Sequence, residues 1–417
     1  MATIALMGTM DTKGEEYAFL AERIRERGHD TLVVDVGILG EPRLVPAIQR
    51  AEVAAAGGSE LSALVAKRDR GDAVTAMSLG APVILSRLVA EGRVQGVIAL
   101  GGSGGTTIAT AAMRALPIGF PKVMVSILAS GNTAPYVDVK DIVMFPSIVD
   151  IAGLNHISRV LLSRAAGAIC GMVEVCLPDS SGKPIIVASQ FGNTTPCVDQ
   201  ARKILEEAGY EVVVFAAVGT GGRTMESLIA SGLVGGVLDI TTTEWADELV
   251  GGVLTAGPYR LEAAAQHGVP AVVSTGCLDM VNFGPPDTVP VKFKSRKFYQ
   301  HNPQVTLMRT TPEENHELGC ILARKLNLSI GSVTLMLPLR GNSQLSAPGQ
   351  PFHDPQADQA LWNALTSNLR PDISVVALDC SINDRIFASA CARELLKNLK
   401  FTDASLAGSI DGSLPAK

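Results

Sequence analysis

Short runs of apolar residues recur along the chain, and most of them end at a cluster of glycine and small polar residues. Between these runs lie stretches in which apolar residues recur at helical spacing. In the amino-terminal half the runs are Thr3–Met7, Leu32–Val36, Val97–Leu100 and Lys122–Leu128. Buried strands that alternate with helices in this way predict a doubly wound α/β fold built on a parallel sheet.

The carboxy-terminal half repeats this order of elements. The clearest sign is that Leu88–Leu100 aligns without a gap with Leu228–Ile240. We therefore predict two doubly wound, Rossmann-like parallel-sheet domains that are related by internal duplication. Residues 179–184, Asp-Ser-Ser-Gly-Lys-Pro, form a turn-rich break. The predicted domains are accordingly residues 1–180, which would bind a nucleotide, and residues 184–417.

Three loops that follow predicted strands of the first domain are rich in anion-binding groups: Gly8–Lys13, Gly101–Thr107 and Ser130–Thr133. The second reads Gly-Gly-Ser-Gly-Gly-Thr-Thr and leads into a helix, whose first amides lack partners and carry the positive end of the helix dipole. If the strands are neighbours, the loops converge at one sheet edge and suit a polyphosphate. A tight strand-to-helix connection with nothing bound is the less favoured alternative.

The end of the second predicted strand offers a further contact for a nucleotide. Asp35 lies where dinucleotide-binding folds place a ribose-binding acid, although a role as a cap or as a surface residue is an equal alternative. A nucleotide would take Asp35 or Gly37 on its ribose or base side. The first loop has neither the Walker spacing nor the Gly-x-Gly-x-x-Gly spacing.

Candidates for catalysis are fewer and come from the second half. His301 and Arg309 lie in one segment, and Asp279 follows a predicted strand. Together they would suit a small carboxylate or sugar acid in a crevice between the two domains. Cys277 is a candidate nucleophile, but a small buried thiol is the favoured interpretation.

A metal site is not predicted. Glu244, Asp247 and Glu248 share one side of a predicted helix, but a face of this kind is usually solvated. The long segment 338–358 is rich in proline, and loops of this length are usually functional lids or disordered.

Composition and charge narrow the class of function. The net charge is −6 and no long basic run is present, which argues against a nucleic-acid groove. The seven cysteines contain no Cys-x-x-Cys pair, a pattern typical of reduced thiols in a cytoplasmic protein. No apolar run approaches the ~20 residues that span a bilayer, so we expect no membrane partner.

Four separated motifs resemble the Tm-one-like ATP-binding domain family: Met7–Glu15, Leu100–Thr106, Gly276–Gly284 and His301–Arg309. The resemblance covers nearly the whole chain. It implies two Rossmann-like subdomains, ATP bound through the first, alone or with Mg²⁺, and self-association as a homodimer or larger homo-oligomer. The antiviral role of the plant protein that gives the family its name is not carried over.

Loops and resemblance together predict one set of nucleotide-binding residues. They are Gly8, Thr9, Asp11, Thr12, Lys13, Gly37, Gly101, Gly102, Ser103, Gly104, Gly105, Thr106, Ser130 and Asn132.

The sequence thus predicts an ATP-binding two-domain α/β protein, with an ATP-dependent enzyme of small-molecule metabolism as one form of this function. Two alternatives stay open. One is a nucleotide-independent enzyme that uses His301, Arg309 and Asp279 on a small anionic metabolite. The other is a module in which ATP stabilises a protein-interaction surface.

Overall fold

The structure, a computed structural model, describes residues 1–175 and 182–408, with residues 401–408 as helical backbone only. The chain divides into unit 1, residues 1–180, and unit 2, residues 181–417. The break that the sequence predicts at residues 179–184 lies partly outside the described residues.

Unit 1 has a five-stranded sheet in the order β2-β1-β3-β4-β5, in which every neighbouring pair is parallel. Its elements are β1 (Thr3–Gly8), α1 (Met10–Arg25), β2 (Asp30–Asp35), α2 (Arg50–Ala56), α3 (Leu61–Lys67), α4 (Arg70–Ala90), β3 (Gly96–Gly101), α5 (Ser103–Arg114), β4 (Lys122–Ser126), α6 (Ala134–Val137), β5 (Val143–Pro146) and α7 (His156–Glu174).

Unit 2 has a six-stranded parallel sheet in the order β14-β13-β9-β8-β6-β7 and a separate three-stranded antiparallel sheet in the order β10-β12-β11. Its elements are β6 (Ile185–Gln190), α8 (Thr195–Glu207), β7 (Glu211–Ala216), α9 (Thr220–Ala230), β8 (Gly236–Thr241), α10 (Glu244–Val250), α11 (Ala263–Gln266), β9 (Ala271–Gly276), β10 (Met280–Phe283), β11 (Phe298–Asn302), β12 (Val305–Arg309), α12 (Pro312–Leu326), β13 (Val333–Pro338), α13 (Pro355–Asn368), β14 (Ser374–Leu378) and α14 (Arg385–Gly408).

The predicted doubly wound, two-domain architecture is confirmed. The first four strands of each unit lie in the same order, since β2-β1-β3-β4 corresponds to β7-β6-β8-β9. Both faces of each parallel sheet are covered: along β1, for example, Ala5 and Met7 pack into one core cluster and Ile4 and Leu6 into another. This two-sided burial is why the strands read as continuous apolar runs.

Two helix boundaries differ from the prediction. Helix α1 begins at Met10, whereas the pattern predicts its start at Glu15, because the polar turn from Thr9 to Lys13 reads as a loop. The backbone is non-helical at Lys13 (φ −126°, ψ 20°), so this first turn is set off from the rest of the helix. The apolar pattern also predicts a helix over Val83–Ala90, whereas α4 begins at Arg70.

Helix α4 also corrects the expectation that no segment approaches membrane-spanning length. Its 21 residues include a window of mean hydropathy 1.6, which is long and apolar enough to cross a membrane by length and composition. Nevertheless Met77, Ile84, Leu85 and Leu88 of this helix pack into the core of unit 1. We therefore interpret α4 as a core helix.

One hydroxyl group links α1 to the two central strands of unit 1. The Tyr17 hydroxyl lies 2.5 Å from the Met7 carbonyl and 3.1 Å from the Leu100 carbonyl, and it accepts the Leu100 amide at 2.7 Å. A Cβ atom at Gly8 would overlap this hydroxyl, so only glycine fits beside it. Burial raises the pKa of Tyr17 far above its ordinary value, and the hydroxyl stays protonated.

Unit 2 contains a buried ion network around Arg260. The guanidinium group contacts Asp239 at 2.5 Å, Glu244 at 2.7 Å and Glu226 at 3.1 Å, and the arginine is 1% exposed. A buried charge of this kind is tolerated only where every partner is in place. The network therefore ties the carboxyl end of β8 to the segment between α10 and α11.

We expect Tyr17→Phe to lower the free energy of unfolding by about 1–3 kcal/mol, because it leaves a buried amide and a buried carbonyl without a partner. Urea denaturation of the full chain measures this change. Tyr136→Phe is the matched control, since the Tyr136 hydroxyl has no hydrogen bond to the described residues. Equal stability of the two variants would contradict the role given to Tyr17.

Arg260→Leu is expected to cost about 3–5 kcal/mol, because three carboxylates would then share a buried space without their cation. The exposed pair Arg340–Asp379 offers a control, and Arg340→Leu should change stability little since solvent screens that pair. The guanidinium chloride midpoints of both variants give the comparison. A midpoint for Arg260→Leu that matches the parent chain would refute the interpretation.

Candidate functional site

The candidate site lies at the carboxyl ends of the central strands of unit 1. Strand β1 pairs with β3, and β3 pairs with β4, so the three glycine-rich and hydroxyl-rich loops follow consecutive strands at one sheet edge. The chain leaves β1 toward β2 on one side and leaves β3 toward β4 on the other. In open parallel sheets, ligands bind in the crevice at such a switch point.

The turn between β3 and α5 presents free helix amides. Gly102 is the N-cap, and the first helical hydrogen bond runs from the Thr106 amide to the Gly102 carbonyl at 2.9 Å. The amides of Ser103, Gly104 and Gly105 precede that bond, and Ser103 is exposed. A Cβ atom at Gly101 would lie 2.8 Å from the Thr106 nitrogen, so glycine lets the helix start this close to the strand. The turn therefore offers an anion site.

The predicted ligand Thr106 faces the interior instead. Its Oγ1 lies 2.7 Å from Ser126 Oγ on β4, and its side chain is fully buried. Ser126 Oγ in turn accepts the Leu128 amide at 3.0 Å. The Thr106 hydroxyl thus joins two neighbouring loops and holds the turn in place.

The turn between β1 and α1 carries the hydroxyl groups of two threonines and a lysine whose ammonium group is already hydrogen-bonded within the protein. Thr9 Oγ1 and Thr12 Oγ1 lie 2.7 Å apart, and Thr12 is exposed. Lys13 Nζ donates to the Ile151 carbonyl. The turn therefore brings Thr9 and Thr12 to the sheet edge, whereas the ammonium group that the sequence assigns to phosphate is bonded within unit 1.

Asp35 caps the first turn of α1, one of the roles that the sequence leaves open for it. The side chain is fully buried, and its Oδ1 accepts the amides of Met10 at 3.0 Å and Gly37 at 2.9 Å. Gly37 consequently has no free amide for a ribose. Asp11 holds the following loop, since its Oδ2 accepts the amides of Leu39 and Gly40.

The loop after β4 completes the edge on its other side. Ser130 and Asn132 are exposed, and Asn132 Oδ1 accepts the Ala134 amide at 3.2 Å. Ile127 is 43% exposed, and a Cβ atom at Gly102 would lie 3.7 Å from its Cδ1. An apolar side chain therefore stands beside the open turn.

Arg70 belongs to this site and was missed by the sequence analysis. A Cβ atom at Gly104 would lie 3.7 Å from Arg70 Nη2. The arginine is exposed, and its guanidinium group has no hydrogen bond or ion pair with the described residues. The signal was hidden because α4 was expected to begin at Val83. Asp69 accepts the Asp72 amide and starts the helix at Arg70.

In unit 2 the counterpart of β3 is β8, and the turn that follows it, residues 241–244, is buried and carries the carboxylate of Glu244 at the start of α10. This carboxylate reaches the helix that follows β7. Glu244 Oε1 accepts the Gly219 amide at 2.7 Å and the Gly222 amide at 3.1 Å, at the start of α9. A Cβ atom at Gly222 would overlap this carboxylate. The carboxylate occupies the place that an anionic ligand takes at an open helix N-terminus.

The three catalytic candidates do not form one site. His301 is exposed near the turn of the β11–β12 hairpin, whereas Arg309 lies at the far end of β12 and is 4% exposed. Arg309 bonds Asp358 at 2.6 Å and the Phe352 carbonyl at 2.9 Å. Asp279 is fully buried, and burial raises its pKa. Arg309 and Asp279 nevertheless lie together, since Arg309 Nη1 donates to the Asp279 carbonyl at 3.4 Å, whereas His301 lies apart from them.

Cys277 is fully buried, and burial raises the pKa of its thiol well above the ordinary value. The favoured interpretation of a buried thiol thus agrees with the structure. Segment 338–358 packs against this cysteine: the Asn342 carbonyl accepts the Cys277 amide at 2.8 Å, and Leu345 and Phe352 lie in the same core cluster.

Glu244 and Asp247 are buried, so the expectation of a solvated acidic face was wrong. Burial raises the pKa of Asp247 to about 7. Within the described ranges no group of three or more His, Cys, Asp or Glu side chains is arranged to hold a metal ion.

Comparison with known proteins places these features in a family. The amino-terminal domain described as "Uncharacterised protein family (UPF0261)" matches residues 2–178, and the carboxy-terminal domain of the same family matches residues 183–399. A UPF0261 protein of Clostridium tetani is 51% identical over 399 residues, which cover 95% of this chain and 99% of that protein.

The resemblance to the tomato proteins is confirmed at the level of the family. The ToMV resistance protein Tm-1(GCR237) of Solanum lycopersicum is 41% identical over 416 residues, which cover 94% of this chain but 55% of the tomato protein. The ToMV susceptible protein tm-1(GCR26) is also 41% identical. Because the two are equally similar, resistance does not follow from the similarity.

Similarity to solved structures is low. The UDP-N-acetylglucosamine 2-epimerase from Rickettsia bellii aligns over 65% of this chain and 78% of its own, at 10% identity and a TM-score of 0.21, and nothing about activity follows. The two matched domains and the relatives decide the assignment: the chain belongs to the UPF0261 family.

Proposed function

We propose that unit 1 binds a nucleoside polyphosphate, ATP, at the carboxyl ends of β1, β3 and β4. The observation that carries this proposal is the open N-terminus of α5 at the switch point of the sheet, with the guanidinium group of Arg70, which has no partner among the described residues, beside it. A polyphosphate would satisfy the free amides and the arginine at the same time.

The phosphates are placed on the amides of Ser103, Gly104 and Gly105. Arg70 extends from the start of α4 over the same turn, and an arginine suits the planar, two-point contact that phosphate oxygens accept. The hydroxyls of Thr9 and Thr12 flank the turn from the neighbouring strand. Ile127 provides apolar surface against which a base or ribose can pack.

Unit 2 is not expected to bind a second nucleotide. The turn after β8, the counterpart of β3, is buried and begins α10 with the carboxylate of Glu244, which Arg260 contacts. The proposal therefore predicts one ATP per chain. Calorimetric titration of the full chain with ATP tests this directly, and no heat of binding at millimolar ATP with folded protein would refute the proposal.

Ser103→Asp is expected to weaken ATP binding at least about tenfold, or about 1.4 kcal/mol, because a negative charge would face the phosphates. The same charge lies at the first helical position of α5, where it interacts favourably with the helix dipole by about 0.3–1 kcal/mol. Affinity should therefore fall while thermal stability holds or rises. Ser103→Asn is the uncharged control, and equal affinities of the two variants would contradict the proposed position of the phosphates.

Arg70→Ala should weaken ATP binding at least about tenfold, as expected for the loss of a hydrogen bond to a charged group. Arg93→Ala serves as the control, since Arg93 is exposed and lies before the amino end of β3, the opposite edge of the sheet. Titration calorimetry of both variants measures the difference. An Arg70→Ala chain with parental affinity would remove Arg70 from the site.

A further inference from the structure

The small antiparallel sheet of unit 2 has an outer strand with one unpaired edge. Strand β11 pairs with β12 alone, in the sheet order β10-β12-β11. Four of its five residues are exposed, and Tyr299 is half-buried. An edge strand of this kind presents a row of backbone groups with which another chain can pair.

The register of this sheet shows which backbone groups of β11 face outward. The Arg309 amide donates to the Lys297 carbonyl at 2.9 Å. Because bonded and non-bonded pairs alternate along an antiparallel ladder, Tyr299 directs its amide and carbonyl toward β12, whereas Phe298 and Gln300 direct theirs away from it. Among the described residues, the backbone groups of Phe298 and Gln300 have no other partner.

The two faces of β11 carry different side chains. On one face Tyr299 packs against Phe352, with their ring centroids 6.4 Å apart. Phe298 and Gln300 lie on the other face, because successive side chains of a strand alternate. Phe298 is 37% exposed. A chain that pairs with this edge would therefore find an aromatic ring against which an apolar side chain can pack.

A cluster of lysines leads into the free edge. Lys292, Lys294 and Lys297 are exposed, and their ammonium groups have no hydrogen bond or ion pair with the described residues. The neighbouring Arg296 is neutralised by Glu314, which it contacts at 2.6 and 2.8 Å. Three positive charges without an internal counter-ion thus lie beside this edge, in a chain whose net charge is −6.

We propose that β11 binds an acidic, extended peptide segment of another protein by strand addition. The peptide pairs with the outward backbone groups of Phe298 and Gln300, places apolar residues beside the Phe298 ring and brings carboxylates to the lysines. Lysine beside an edge strand commonly guards against pairing of identical edges. Here the same charges repel a second copy of this edge and attract a strand of opposite charge, so they select the partner.

The probe is a fluorescein-labelled peptide of alternating Glu and Val residues, titrated with the full chain at low ionic strength and followed by fluorescence anisotropy. We expect saturable binding that weakens as salt is added, because the charges are exposed. The same peptide with methylated backbone amides keeps its charge but cannot donate to the Phe298 and Gln300 carbonyls. It should bind at least about fivefold more weakly, as expected for the loss of two hydrogen bonds.

Lys297→Glu should weaken binding of the unmethylated peptide at least about fivefold, because it removes an exposed ion pair and adds repulsion. Lys203→Glu makes the same change of charge at an exposed position of α8 and should leave binding unchanged. Both lysines are exposed, so both variants should fold, as circular dichroism would show.

No saturable binding, or equal binding of the methylated peptide, would overturn the proposal, and the second result would leave charge attraction alone. Self-association through β11 would overturn it as well. Sedimentation would then show an oligomer that dissociates in the Gln300→Pro variant, because proline removes an outward amide. The assay contains no nucleotide and concerns unit 2, so its outcome is independent of whether ATP binds to unit 1.

Discussion

The fold of unit 1 depends on the hydroxyl of Tyr17. This hydroxyl lies where β1 and β3 would otherwise continue to pair. It accepts the Leu100 amide and lies within hydrogen-bond distance of the Met7 and Leu100 carbonyls. The regular pairing of the two strands ends one residue earlier, at Met7 and Ala99. Because a buried backbone group without a partner is costly, this hydroxyl stabilises the point at which β1 and β3 stop pairing, next to the switch point of the sheet.

The two units differ at the turn that follows equivalent strands. In unit 2 the turn after β8 is buried and ends at Glu244, whose carboxylate accepts amides at the start of α9 and is balanced by Arg260. In unit 1 the turn after the equivalent strand β3 has free amides, and the guanidinium group of Arg70 beside it has no partner among the described residues. The same architecture therefore places an internal carboxylate at this turn in one unit and leaves a place for an external anion in the other.

The spacing of apolar residues predicted much of the fold, and the elements that it failed to predict have identifiable physical causes. Helix α4 is apolar on nearly all sides, so no change in periodicity marks its start, and Arg70 escaped notice for that reason. Strand β11 is largely exposed, and a strand in which apolar and polar residues do not alternate cannot be recognised from the sequence. For this reason the sequence did not predict the antiparallel sheet. His301 and Arg309 are close in sequence, but the hairpin separates them because they lie at opposite ends of it.

By itself the sequence determined the alternation of strands and helices, the duplication and the chemical character of the loops, because these depend on local pattern and residue type. Only the tertiary structure decided which of the anion-binding groups are free. Asp35 meets the Met10 amide across 25 residues, and Glu244 meets Gly219 across the same separation. Whether a helix N-terminus is open depends on such long-range contacts, which no spacing along the chain encodes.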